Sequence, residues 1–239
     1  MKSSRQKLQE YEEKYSEIPL DLEERLEYMV KKYNVSDSKM EKILMKKQLM
    51  LETLIFKHIR LVLMEVPEGT PRHRYRIVNK SNYHQMAKAM PQYVHVYSPG
   101  AKENNVRMKR LVGEELDELQ ALITTPCIIT YRTFHKTPDA MPMEDKFLAE
   151  IGLELPMVKP DWDNLGKKYS DMSNMTIWLD DSFVCRGTVE KYQSILPRVE
   201  IDIYYLNMLY NKYQYNQISK RKDFIENNCS VEYFTMEGK

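Results

Sequence analysis

The first part of the chain carries apolar residues at helical spacing. Between residues 1 and 53 they recur every three or four positions among charged residues, for example at Leu22, Leu26, Met29 and Val30. This spacing places them on one face and predicts two or three amphipathic helices. Residues 34–37 predict a break, with Ser36 or Asp37 as the next N-cap. Such a segment packs on its own core or on a partner protein, and we expect residues 1–54 to be a helical extension.

From residue 55 the pattern changes to alternating apolar and polar positions and short β-branched runs, which are typical of strands. Helical periodicity separates some of these runs. The predicted extended segments are 59–64, 93–97, 127–134, 176–179, 184–192 and 199–205, and the predicted helices are 102–122, 144–151 and a segment from Pro160 to about residue 173. Because these elements follow no repeating β-α-β order, we predict an α+β fold with a mixed sheet and packed helices.

The predicted domain division follows from these patterns. Residues 55–206 would form the core, and residues 207–239, rich in Tyr, Asn and Lys, a helical C-terminal tail. A chain of 239 residues suits one domain with appendages. No stretch approaches about 18 apolar residues and the start is charged, so we expect a cytoplasmic protein with no membrane partner. Three cysteines far apart, Cys127, Cys185 and Cys229, suit reduced thiols better than disulfides or a zinc site.

The charges are segregated along the chain. The net charge of +1 argues against a uniformly basic DNA-coating protein. Residues 67–112, however, hold nine Lys and Arg against two acids, whereas residues 113–156 hold three cations and nine acids. A local basic zone is typical of a surface that contacts a nucleic-acid backbone, and an ordinary solvated face is the alternative interpretation.

The densest group of chemically useful side chains follows a proline. Pro160 favours a helix that begins just after it. Asp161 and Asp163 then fall at or just before the first turn, where the helix dipole tolerates anions. Steps of four from Asp163 reach Lys167 and Asp171, so these side chains would share one helical face.

An acidic pair, Asp180-Asp181, follows at short range. If this pair is extended, its side chains point to opposite sides, so only one of them would face a metal. Paired carboxylates supply the hard oxygen ligands of a divalent cation, and a nearby lysine can offset charge that develops on a phosphate. The pattern therefore predicts a divalent-metal phosphodiesterase and leaves open which member of the pair takes part.

These residues resemble a known signature. The run Asp161-Trp162-Asp163-Asn164-Leu165-Gly166-Lys167, then Asp171, then Trp178-Leu179-Asp180-Asp181, is similar to the motif of the RusA-type Holliday-junction resolvases. Weaker similarities are Val66-Pro67 before a basic loop, Val96-Tyr97-Ser98 before a helix, and Arg198-Val199-Glu200-Ile201 as a closing strand. The resemblance covers about residues 55–206 and implies a RusA-like nuclease core.

The resemblance also implies an activity. The family cleaves four-way DNA junctions, in recombination and repair, as a magnesium-dependent homodimer. Carried to this chain, it implies that Asp161, Asp163 and Asp181 are metal ligands and that Lys167 is the cation at the scissile phosphate. It thus selects Asp181 from the acidic pair. The implied cofactor is magnesium, with manganese as an alternative, and the implied partners are branched DNA and a second copy of the chain.

One departure concerns the DNA contacts. The family often has arginines just before its first aspartate, whereas this chain has Met157-Val158-Lys159-Pro160. We therefore assign the phosphate contacts to basic residues of the first loop and the first helix of the core. They are Arg72, Arg74, Lys80, Lys102, Arg107, Lys109 and Arg110.

Two other functions compete with cleavage. A protein of this fold that binds junctions without cutting them would carry the same acids, and metal titration would separate it from an enzyme. A glycosyltransferase can hold a metal-bound nucleotide sugar on an Asp-x-Asp pair. That pair normally ends a buried strand, but Pro156 interrupts the segment that precedes Asp161.

Overall fold

The computed structural model describes residues 3–70, 74–77, 94–97, 108, 122–209, 211–227, 229 and 231. It divides into two compact units, Met1–Thr53 and Leu54–Lys239. Most of the helix predicted over residues 102–122 lies outside the described residues. Within that range the structure describes Met108, which is helical and buried, and Leu122.

The first unit contains three helices, α1 (Ser4–Tyr15), α2 (Leu22–Lys32) and α3 (Asp37–Thr53). Ser3 caps α1 in a reciprocal capping box with Gln6, and the Asp21 carboxylate accepts the first free N–H groups of α2. The predicted break before α3 is confirmed. No residue of α2 or α3 is buried, so their apolar faces stay exposed within this unit.

The second unit is built on a four-stranded sheet. Its strands are β1 (Phe56–Leu63), β4 (Cys127–Lys136), β5 (Val184–Ser194) and β6 (Arg198–Leu206), in the order β1-β6-β4-β5. The pair β4–β5 is parallel and the other pairs are antiparallel. Two short strands, β2 (Arg74–Ile77) and β3 (Val94–Tyr97), form a separate antiparallel pair. The predicted α+β fold with a mixed sheet is confirmed.

Besides the helical Met108, four helices are described in this unit. They are α4 (Met143–Glu150), α5 (Trp162–Ser173), α6 (Lys212–Ser219) and α7 (Lys222–Glu226), and a single 3-10 turn covers Asp181–Phe183. The start of α5 just after Pro160 and its end at Ser173 agree with the prediction. The helical tail beyond residue 206 is confirmed by α6 and α7. No described helix is both long and apolar enough to span a membrane.

The two faces of the sheet differ in chemistry. On one face, Val199, Ile201 and Ile203 of β6 pack with Leu165 and Tyr169 of α5 in the main core. On the other face, the buried carboxylates of β6 are paired with cations from β1, from β4 and from β6 itself. The pairs are Arg60–Glu200 at 2.7 Å, Arg198–Glu200 at 2.8 Å, His58–Asp202 at 2.8 Å, and Arg132 with Asp202. Helix α5 therefore lies on the apolar face.

Two predictions about local structure are wrong. Residues 176–179 form a turn with isolated bridges at Trp178 rather than a strand, because the N–H groups of Thr176 and Ile177 both donate to the carbonyl of Ser173 at the end of α5. The basic segment assigned to a loop contains β2, so Arg74 lies on a strand paired with β3.

Candidate active site

The start of α5 is held by residues of β5 and of the preceding segment. Asp161 occupies the N-cap position with extended backbone angles, φ −67° and ψ 152°. The ammonium group of Lys191 donates to the carbonyl oxygens of Val158 and Pro160, and Lys159 forms an ion pair with Asp161. These contacts fix the backbone at the N-terminus of α5, where Asp161 and Asp163 lie.

A close approach seats α5 against the sheet. A Cβ atom at Gly166 would lie 2.9 Å from Cγ2 of Val189, so only glycine fits there without movement. One turn earlier, the Trp162 indole donates to the carbonyl of Val189 at 3.0 Å. Asp163 and Lys167 lie on the exposed face of the helix and share that face, as the four-residue spacing predicted.

The segment after β1 docks on the buried side of α5. The Tyr169 hydroxyl donates to the Glu65 carboxylate at 3.1 Å and accepts the N–H of Glu68 at 3.3 Å. Lys168, only 4% exposed, forms an ion pair with Glu68 at 2.8 Å. Sequence reasoning missed this set. The one signal was that Lys168 falls on the same helical face as Leu165, which predicts burial.

Thr70 and Gly69 extend this docking to the motif itself. The hydroxyl and the N–H of Thr70 both donate to the carbonyl of Asn164, each at 3.3 Å. A Cβ atom at Gly69 would lie 2.8 Å from Cβ of Pro160. Residues 69 and 70 therefore pack directly against the N-terminus of α5, next to Asp161.

The two acids of the 180–181 pair have different surroundings. The Asp180 carboxylate accepts the N–H of Ser182 at 2.9 Å and pairs with Arg221 at 3.2 Å. The pKa of Asp180 is lowered, most by a hydrogen bond from the side chain of Ser182 and further by the N–H of Ser182 and by Arg221. Asp181 begins the 3-10 turn and is exposed. Asp180 thus has a structural role, which leaves Asp181 as the candidate for chemistry.

Asp181 and the outer face of α5 lie within electrostatic range of each other. Burial raises the pKa of Asp171, Lys167 opposes that rise, and the charge of Asp181 adds to it. Burial likewise raises the pKa of Tyr131 beneath them, and Asp181 again adds to the rise. The charges of Lys167 and Asp181 thus both act on Asp171, in agreement with the contact between α5 and the 3-10 turn.

The three predicted metal ligands come from two elements. Asp161 and Asp163 stand at the start of α5, and Asp181 begins the 3-10 turn. Among the described residues, no three Asp, Glu, His or Cys side chains are grouped so that they could hold a metal ion. The donor chemistry of Asp161, Asp163 and Asp181 fits magnesium, which prefers carboxylate oxygens and keeps several waters. Their assignment as ligands stays a prediction.

None of the side chains assigned to DNA contacts lies in the part of the chain that the structure describes. For Arg74 the structure describes only the backbone, in β2, and Arg72, Lys80, Lys102, Arg107, Lys109 and Arg110 lie outside the described residues.

The surroundings of the Asp161–Asp163 pair argue against the glycosyltransferase interpretation. The segment 151–160 that leads to the pair contains no strand; the nearest element before it is α4. The pair therefore stands at a helix start and not at the end of a buried strand.

Comparison with known proteins places this site in a family. Residues 66–204 match the family model described as Endodeoxyribonuclease RusA. A relative from Bacillus subtilis (strain 168), the uncharacterized protein YqaN, is 32% identical over 112 residues, which cover 46% of this chain and 78% of the relative. The matched range contains α5 and the Asp181 turn and ends within β6, so α6 and α7 lie beyond it.

Proposed function

The chain belongs to the RusA endodeoxyribonuclease family, and from this membership we propose that it is a magnesium-dependent, structure-specific endonuclease that resolves four-way DNA junctions. The observation that carries the proposal is that Asp163 and Lys167 are both exposed on one face of α5, and that α5 contacts the turn that begins at Asp181. A cation among carboxylates on an exposed helical face suits a phosphodiester, because the phosphate is anionic and its transition state gains charge.

The motif residues have separate roles in this proposal. Asp161, Asp163 and Asp181 would hold magnesium, or manganese as an alternative. A metal held there would supply positive charge for the attacked phosphate and make water a better nucleophile. Lys167 binds a nonbridging phosphate oxygen and stabilises charge that grows there. Asp171, whose pKa is raised by burial, borders Lys167 and orients its ammonium group.

The substrate suggests the assembly. A four-way junction has approximate two-fold symmetry and needs two opposed cuts, so two copies related by a two-fold axis would present two equivalent sites. The basic zone of residues 67–112 is the proposed contact with the DNA backbone, and its affinity should fall steeply with salt concentration.

Substrate selectivity tests the proposal. The full chain is incubated with end-labelled four-way, three-way and linear DNA of matched sequence, in magnesium and in chelator. We expect paired, symmetric cuts in the four-way junction in magnesium only. Equal cutting of all three substrates would contradict structure specificity, and cutting in chelator would contradict the metal requirement.

A second function is a protein that binds junctions and does not cut them. The observation that favours it is that no complete acidic metal group is formed among the described residues. It predicts tight junction binding with no cleavage at any magnesium or manganese concentration, and the same assay decides between the two.

A further inference from the structure

The C-terminal tail packs beneath the turn that carries Asp181. A second hydrophobic cluster is formed by Leu179, just before the turn, with Leu209, Ile218 and Cys229 of the tail, and Phe183 of the turn packs against it. These tail residues lie beyond the range that matches the family. The chain therefore supports a motif residue with a segment that the family match does not include.

Arg221 makes the polar contacts of this support. Its guanidinium pairs with Asp180 at 3.2 Å and with Asp223 at 2.6 Å. The guanidinium carbon also lies 5.9 Å from the centre of the Phe183 ring. Asp180 caps the start of the turn and Phe183 is its last residue, so one side chain contacts both ends of the turn.

The contacts also restrain the turn itself. Asp180 uses one carboxylate oxygen to accept the N–H of Ser182 and the other to bind Arg221. Movement of Asp180 would break both bonds. A planar guanidinium with several fixed donors restrains such a carboxylate better than a lysine ammonium does.

We propose that Arg221 is a positioning residue for Asp181, holding the 3-10 turn through Asp180 and Phe183 so that the Asp181 carboxylate faces α5 as a metal ligand. The inference rests on the proposed function only in taking Asp181 as a ligand. Groups that orient ligating carboxylates commonly change metal affinity by about 10-fold to 100-fold. An arginine that merely anchored the tail would change stability and leave metal affinity unaltered.

The test measures manganese binding directly, by the loss of the free-ion signal in electron paramagnetic resonance, on the full chain. The variants are Arg221→Gln, Arg221→Lys, Asp181→Asn and the double variant Arg221→Gln/Asp181→Asn. We expect Arg221→Gln to weaken binding about tenfold, Arg221→Lys to lie between it and the wild type, and the double variant to match Asp181→Asn. That pattern shows that Arg221 acts through Asp181.

Two controls separate positioning from stability. Lys222→Gln removes a neighbouring cation whose pairing with Glu226 is exposed, and should bind manganese like the wild type. Ile218→Ala weakens the tail cluster but keeps the Arg221 side chain and the backbone hydrogen bond from Arg221 to residue 218, so it should lower stability while leaving the affinity of the folded chain unchanged. Equal affinities of Arg221→Gln and wild type would overturn the proposal, as would an unchanged affinity of Asp181→Asn.

The same variants keep this inference distinct from the proposed function. Junction cleavage by the wild type with unchanged manganese affinity of Arg221→Gln would overturn the positioning role and leave the enzyme assignment intact. Absence of cleavage with the expected coupling of Arg221 to Asp181 would support the positioning role and overturn the enzyme assignment.

Discussion

The buried ammonium group of Lys168 lies 2.8 Å from the carboxylate of Glu68. This ion pair joins the segment after β1 to the inner side of α5, while the next residue along the chain, Lys167, stands on the exposed side with the acids of the motif. Adjacent lysines thus have different environments, because successive helical positions point about 100° apart. One holds the helix in place, and the other is available to a phosphate.

Removing the partner of Lys168 should destabilise the fold. In Glu68→Gln the buried ammonium loses its charge partner, and we expect the free energy of unfolding to fall by about 1–2 kcal/mol, less than for a fully buried pair because Glu68 is 56% exposed. Urea unfolding measures it. The control is Asp139→Asn, whose pairing with Lys136 is exposed and should be worth less than about 0.5 kcal/mol. Equal losses would contradict this role of the pair.

The close contact of Gly166 with Val189 predicts that the effect of Gly166→Ala on stability changes sign when Val189 is shortened. Gly166→Ala places a methyl group 2.9 Å from Cγ2 of Val189, and we expect a loss of about 1–2 kcal/mol despite the better helix propensity of alanine. In a Val189→Ala background the same change should instead stabilise the protein, by up to about 1 kcal/mol. Thermal unfolding of the four proteins checks the sign. A loss of equal size in both backgrounds would contradict the close packing.

Ionisation of Asp202 should make the free energy of unfolding depend on pH in the acidic range. Burial disfavours its charge, but hydrogen bonds from His58 and Arg132 outweigh this and lower the pKa of Asp202 below its ordinary 3.8. Because the pKa of Asp202 is lower in the folded protein than in the unfolded chain, its ionised carboxylate stabilises the fold at pH values above the unfolded-state pKa. That contribution is lost as the pH falls through the folded-state pKa.

The variant Asp202→Asn tests this dependence. It should reduce the free energy of unfolding by about 3 kcal/mol at neutral pH, since it removes the buried negative charge and leaves one acceptor oxygen where Arg132 and His58 each use their own. The difference from wild type should narrow as the pH falls below about 4. Urea unfolding over a pH series measures it, and a difference that stays constant with pH would exclude the ionised carboxylate as its cause.

The cysteines should react unequally. Cys185 is exposed, whereas Cys127 and Cys229 are buried, and burial raises the pKa of Cys127 to about 12. A thiol that stays protonated and buried reacts poorly. In the native protein, a chromogenic disulfide reagent should therefore modify one thiol per chain, and none in Cys185→Ser. Rapid reaction of a second thiol without denaturant would contradict the buried positions.

The sequence pattern predicted correctly those elements that depend on residues close together in the chain. The strand from Arg198 shows its alternation over its whole length, and α5 follows from Pro160 and the four-residue spacing after Asp163. The same spacing placed Lys167 and Asp171 on one face, as observed. These features depend on residues within one or two turns of each other.

Other features depend on partners distant in sequence. Lys168 pairs with Glu68 across 100 residues, and Arg221 reaches Asp180 across 41. The buried run Ile177-Trp178-Leu179 suggested a strand, but it is buried on all sides in a turn between two hydrophobic clusters. No local periodicity distinguishes such a turn from a buried strand.

The central claim is that the acids of the motif serve metal-dependent cleavage of a DNA junction. Its most direct test is the single-turnover rate of four-way junction cleavage in magnesium by Asp161→Asn, with junction affinity measured on the same preparation. The account predicts a rate at least about 100-fold below wild type, with affinity equal or tighter because a negative charge near phosphate is removed. Cleavage by Asp161→Asn at the wild-type rate would contradict it.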